Sequence, residues 1–340
     1  MKNQINVQHI KNYFSQKTVL ILGIVLLIPV ITSFVASILA VNSSTDFIKD
    51  IYSILNASGN LSGEDTEVFR IMKNFIPSYG ITMTVLQFIF SLVVPSVWLF
   101  IYFRSKNPDP NKTPSGGLMF FFVIYIISIV SASLILLYAI FCGVLGFILA
   151  TGSNAATGTD YEATVVMSIV FIVLSVVFIL FGTFTLILSI SGMKFFGGAR
   201  KSMTSPNMIV SGKVYGVMLA IYAVFAILSG LSLIIMGCII PSIIDGIGLD
   251  VMGVFIIDSL ASRLVLPIIL SGIATILSAI PYVLESKIAL GYCRMAKSVP
   301  PTPNQYNPYN SYNQNNQFNQ NNPYNQNNQY NPYNQVPPQG

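Results

Sequence analysis

The chain has 340 residues, of which 53% are hydrophobic and 9% charged, with a formal net charge of +5 and a mean hydropathy of +0.69. Soluble domains carry about 25% charged residues, so this composition excludes an ordinary water-soluble domain and assigns most of the chain to a bilayer. One histidine and three cysteines exclude a zinc cluster, and no catalytic, cofactor or nucleic-acid-binding signature is present.

Residues 1–18 form a basic, weakly amphipathic opening. Ile5, Val7, Ile10 and Phe14 share a face, and Lys2, Lys11 and Lys17 supply charge. His9 has neither the partner nor the pocket that catalysis requires. Six stretches then reach the roughly 20 apolar residues that a spanning helix needs. They cover about 19–41, 81–103, 117–150, 163–193, 214–244 and 264–284, and none contains Asp, Glu, Lys, Arg or His. The first is longer than the apolar core of a signal peptide and lacks a good cleavage site, so it reads as an uncleaved helix.

The loop 42–80 reads as extracellular, with two short amphipathic helices. Phe47, Ile48, Ile51, Tyr52, Ile54 and Leu55 line one apolar face, and Val68, Phe69, Met72, Phe75 and Ile76 line the other. "SGED" at 62–65 resembles a capping box, and Pro77 is placed to end the second helix. Asn42, Asn56 and Asn60 begin N-x-S sequons, glycosylation acceptors in a eukaryotic secretory pathway and without meaning in a bacterium. The third stretch would be about 51 Å long at 1.5 Å per residue, so a tilt, a bend near Gly143 and Gly146, or projection from the bilayer is expected. Ser128 and Ser131 add small residues to the same helix. The apolar loop before the last span is expected at the outer interface, with Asp245, Asp250 and Asp258 solvated.

In the last span Ser271, Gly272, Thr275 and Ala279 make a small-residue face suited to helix packing or to a pore wall. Pro29, Pro95, Pro267 and Pro281 fall within spans, where each removes a backbone donor and can shape a cavity. Cys142 and Cys238 read as packing residues and Cys293 as a structural thiol. Glu285 reads as an interfacial acid beside Lys287.

Charge sets the orientation. With the N-terminus inside, 13 of the 17 Lys and Arg residues are cytoplasmic and ten of the 12 acids are outside. Arg104, Lys194, Arg200, Lys201, Arg294 and Lys297 then mark the inner face. Arg104, Arg200 and Arg294 lie 96 and 94 residues apart, a spacing compatible with three helical hairpins and equally with alternating topology alone.

Residues 300–340 form a disordered cytoplasmic tail rich in Asn, Gln, Tyr and Pro. Tyr306, Tyr309, Tyr312, Phe318, Tyr324, Tyr330 and Tyr333 recur every three or six residues, a spacing that a polyproline II helix would align. They are either weak stickers or the rings of a solvated spacer.

The expected fold is therefore an all-α integral membrane protein: a six-helix domain over 19–299, N-in and C-in, with a disordered tail. The expected function is a non-enzymatic anchor or scaffold in a bacterial cytoplasmic membrane. Its partners would be membrane lipids, and copies of itself or another protein through the tail. The competing reading is a transporter or permease subunit for a neutral or lipid-like substrate. No cofactor, metal or nucleic acid is expected.

Overall fold

The computed structural model describes residues 4–57, 63–152, 159–246 and 251–300. Every regular element among these residues is a helix: α1 (Gln4–Phe14), α2 (Lys17–Val25), α3 (Leu27–Ala57), α4 (Gly63–Ser91), α5 (Val93–Lys106), α6 (Ser115–Gly152), α7 (Thr159–Ser202), α8 (Lys213–Gly246) and α9 (Val251–Ser298). Among the described residues six segments are long and apolar enough to cross a membrane: Lys17–Asp50, Pro77–Lys106, Ser115–Thr151, Thr164–Ser202, Lys213–Ile239 and Val265–Ser298. Helices suit this sequence because hydrocarbon offers no partner to a free backbone group.

Two spans are broken at matching places. α2 gives way to α3 at Leu26, and α4 to α5 at Leu92. Each break stands three residues before a proline, Pro29 or Pro95. A proline has no N–H to return to the carbonyl four residues earlier, so it sits best in the first turn of a new helix, where that donor is unused anyway. Pro77, Pro267 and Pro281, by contrast, lie inside continuous helices.

The 42–80 segment differs from expectation. It holds no separate interfacial helices: α3 runs on to Ala57 and α4 starts at Gly63, so both helices are continuations of the spans, and Pro77 does not stop α4. Continuing a helix satisfies each backbone group locally, whereas a break would expose several. The segment before the last span behaves likewise, as α9 extends back to Val251. Ser62, Asn60 and Asp250 lie outside the described residues. The third span is one uninterrupted helix, α6, and its Gly143 and Gly146 lie against Ser175 and Ile172 of α7.

Consecutive spans pair. α6 packs along α7, α8 along α9, α2 on α5 and α3 on α4, while α3 also packs along α9. The main core lies at the end of the bundle that carries α1. There Phe14, Trp98, Phe121, Phe195, Phe196, Tyr215 and Tyr292 are buried together. Their rings meet edge-on or stacked, with Phe121 and Phe196 at 4.7 Å and Phe195 and Tyr215 at 5.4 Å. Away from this end, α6 and α7 expose apolar side chains such as Leu137 and Phe147, as lipid-facing helices do.

α1 is latched across the core. Val7, Ile10 and Phe14 are buried, and Ile5 is the exception on the expected face, remaining exposed. Lys11, read from sequence only as basic flank, is buried; its Nζ donates to the carbonyls of Asn107 at 2.6 Å and Asp109 at 2.7 Å. A cation beyond the C-terminus of α5 also complements that helix dipole. Tyr13 donates to the Ile288 carbonyl, and burial pushes its hydroxyl well above the usual tyrosine range, so it stays a donor.

The opposite end has its own clasp. Arg263 of α9 pairs with Asp50 at 2.6 Å and Asp46 at 3.3 Å on α3. These groups are partly exposed, so Arg263→Met is expected to lower stability by about 1 kcal/mol or less. Denaturation in detergent at low and high salt checks this, with the difference vanishing at high salt.

Candidate functional site

The paired breaks at Leu26 and Leu92 end the region where all the spans meet. Beyond them a cavity of about 900 Å3 lies between α3, α4, α7, α8 and α9. Its floor, nearest the aromatic core, is made by Leu26, Ser91, Phe184, Tyr222, Pro281 and Tyr282. Tyr222 and Tyr282 meet edge to face at 4.9 Å, and Phe184 stacks on Tyr222 at 5.8 Å. Higher up, Phe34 and Phe88 contact at 4.3 Å across α3 and α4. No charged residue lines the space.

The polar lining is more telling. Thr275, Ser278 and Ser91 spend their hydroxyls on carbonyls of their own helices. Ser33, Ser37, Thr84, Gln87, Tyr222, Ser229 and Tyr282 also line the cavity, and these side chains make no hydrogen bond among the described residues. Thr84 is itself buried. The other six are half-buried or exposed, so seven unbonded groups around one space leave donors and acceptors available to polar atoms inside it.

Under the floor, Glu285 corrects the sequence reading. It is a buried residue, not an interfacial acid, and it accepts a 2.6 Å hydrogen bond from the Tyr215 hydroxyl. Tyr215 is in turn hydrogen-bonded to Tyr125. The chain of three side chains ties α6, α8 and α9 together. Lys287, two residues on, is exposed and makes no ion pair with it.

The four small residues of the last span separate. Gly272 faces Gly230 on α8, where an added Cβ would lie 2.7 Å from the Gly230 carbonyl oxygen. Ala279 packs with Ala223 and Ala226. Thr275 alone of the four lines the cavity, and Ser271 is half-buried, its carbonyl accepting from Thr275. Arg104, Lys194, Arg200, Lys201, Arg294 and Lys297 are all exposed around the α1 end, Arg104 lying 5.1 Å over the Phe100 ring. His9 is exposed, Cys142 and Cys293 are buried, and Cys238 is exposed. Among the described residues no group of His, Cys, Asp and Glu could hold a metal ion. The ring positions from Tyr306 to Tyr333 lie outside the described residues.

Apart from Thr275, Pro29 and Pro281, the cavity residues were missed from sequence, although they left a trace. Ser33 and Ser37 are four apart on α3, and Thr84, Gln87 and Ser91 are three and four apart on α4, so each set marks one helix face. Nothing local says that the two faces meet. The chain matches no protein-family model, no curated protein and no solved structure.

Proposed function

We propose that this is a six-span membrane protein with both ends on the cytoplasmic side, and that it binds a neutral amphiphilic molecule in the intramembrane cavity and passes it on. This makes it a transporter or permease component rather than a scaffold alone. The observation that carries the reading is the cavity itself: about 900 Å3, free of charge, walled by aromatic rings and edged by unused hydroxyl and amide groups. The volume falls in the range of small-molecule sites, about 300–1,000 Å3. A charged ligand would find no counter-ion there, and a purely apolar one would leave the polar lining stranded. The exposed cations around the α1 end support the inward orientation of that end. The aromatic core then shuts the cytoplasmic side, so transfer across the membrane requires that core to part.

The test is native mass spectrometry of the purified full chain with its co-extracted lipids. A neutral amphiphile is expected to travel with the protein. Ser278→Trp and Ser33→Trp, which fill the space, are expected to lower its occupancy about tenfold, equivalent to roughly 1.4 kcal/mol. A melting curve for each variant shows that the fold persists. Removing residues 301–340 is expected to leave occupancy unchanged. A chain that carries no neutral amphiphile, or carries it equally well with the cavity filled, contradicts the proposal.

A further inference from the structure

The cavity wall is a ring with a missing joint. α4 packs on α3, α3 on α9 and α9 on α8, while α8 meets α7 more narrowly, through Tyr222 and Phe225 against Phe184. α4 and α7 both line the cavity, yet they share no extended packing. Nearer the α1 end the same side is closed, because α5 packs on α6. The seam therefore begins at the Leu92 break, where Pro95 starts a new helix and α4 parts from the course of α5.

The two lips have a distinctive character. Leu180 on α7 lines the cavity and is nonetheless 68% exposed, so it stands at the edge. Gln87 holds the corresponding position on α4, lining the cavity and exposed, with its amide unbonded. About one turn from the lips, Phe90 on α4 and Val177 on α7 are apolar and exposed. In a bilayer that surface is covered by acyl chains, so at the seam the cavity opens toward hydrocarbon.

We infer that the cavity is filled sideways from the bilayer through the α4–α7 seam, and that its occupant is a neutral glycerolipid of the diacylglycerol type. The uncharged hydroxyl-bearing head sits among the hydroxyls of the cavity, and the acyl chains remain across the seam between Gln87 and Leu180. This rests on the proposed ligand cavity and adds the route and the lipid class. A chain-bearing ligand suits the geometry because its apolar part never has to leave the hydrocarbon. An entirely enclosed solute would make the open seam unnecessary.

The experiment uses the full chain with Cys142, Cys238 and Cys293 replaced by alanine, carrying Gln87→Cys and Leu180→Cys. The delipidated protein is reconstituted and mixed with phosphatidylcholine vesicles containing a fluorescent diacylglycerol. Uptake is measured before locking the pair with reducible bis-thiosulfonate linkers of graded length, after locking, and after reduction. The expected result is uptake by the unlocked protein, its loss on locking, and its recovery on reduction in the same sample. The recovery shows that locking did not unfold the chain. Uptake that persists in the locked protein, while Ser278→Trp abolishes it, overturns the lateral route and leaves the cavity reading standing. No uptake by the unlocked protein of this or any neutral lipid offered overturns both. Uptake of free glycerol alone, unaffected by the lock, overturns the lipid class and the route together.

Discussion

Tyr215→Phe is expected to destabilise the protein by about 3 kcal/mol. The substitution removes one oxygen and leaves the ring, so the stacking of Tyr215 on Phe195 at 5.4 Å is retained. What disappears is the centre of the three-residue chain. Glu285 loses the 2.6 Å bond it accepts, and the Tyr125 hydroxyl loses its partner. Each stranded buried group contributes about 1–3 kcal/mol of loss. Glu285→Gln keeps an acceptor for Tyr215 and is expected to have a much smaller effect. The double variant Tyr215→Phe with Glu285→Leu removes both stranded ends of that bond and is expected to recover part of the loss, since a buried polar pair can often be exchanged for apolar groups of similar shape. Denaturation of wild type, Tyr215→Phe, Glu285→Leu and the double variant in one detergent measures the cycle. If Tyr215→Phe behaves like wild type, the chain from α6 to α9 does not support the fold.

Gly272→Leu is expected to be the more disruptive change, lowering stability by about 3 kcal/mol or preventing assembly of the α8–α9 pair. At this crossing the two backbones are the contact. A Cβ on Gly272 would meet the Gly230 carbonyl oxygen at 2.7 Å and Ile234 Cγ1 at 2.8 Å, and a Cβ on Gly230 would meet the Gly272 carbonyl oxygen at 2.6 Å. Backbone cannot rotate aside as a side-chain tip can, so the helices must separate and lose dispersion contacts along the crossing. Gly272→Ala is expected to cost about 1–3 kcal/mol for the same reason. Gly116→Ala is the control: its nearest neighbour is Phe100 Cε1 at 3.6 Å, an ordinary contact, so the change is expected to stay within about 0.5 kcal/mol. Equal tolerance at the two glycines would mean that α8 and α9 do not approach this closely.

Some features of the molecule could be read locally and others could not. Thr275 and Gly272 are three apart on one span, and their composition marks them as a small-residue face without saying what covers it. In the fold one lines the cavity and the other touches α8, because adjacent positions of a helix face point into different neighbours. Glu285 misled for a related reason. In sequence it sits at the polar end of an apolar stretch, beside lysine, which is the pattern of a solvated boundary residue. Its burial depends on Tyr215, 70 residues away. Lys11 has the same history, since the carbonyls it serves belong to a turn 96 residues further on.

The amino-acid sequence by itself determined that six stretches are long and apolar enough to cross a membrane as helices, because hydrocarbon demands long uncharged stretches whose backbone bonds close within the segment. Those are short-range conditions, legible in any window of 20 residues. Tertiary structure alone decided where the helices part, which hydroxyls share a cavity, and which acid is hidden. These depend on contacts between helices far apart in the chain, where lipid and protein are equally apolar and only shape and hydrogen bonding choose the partner.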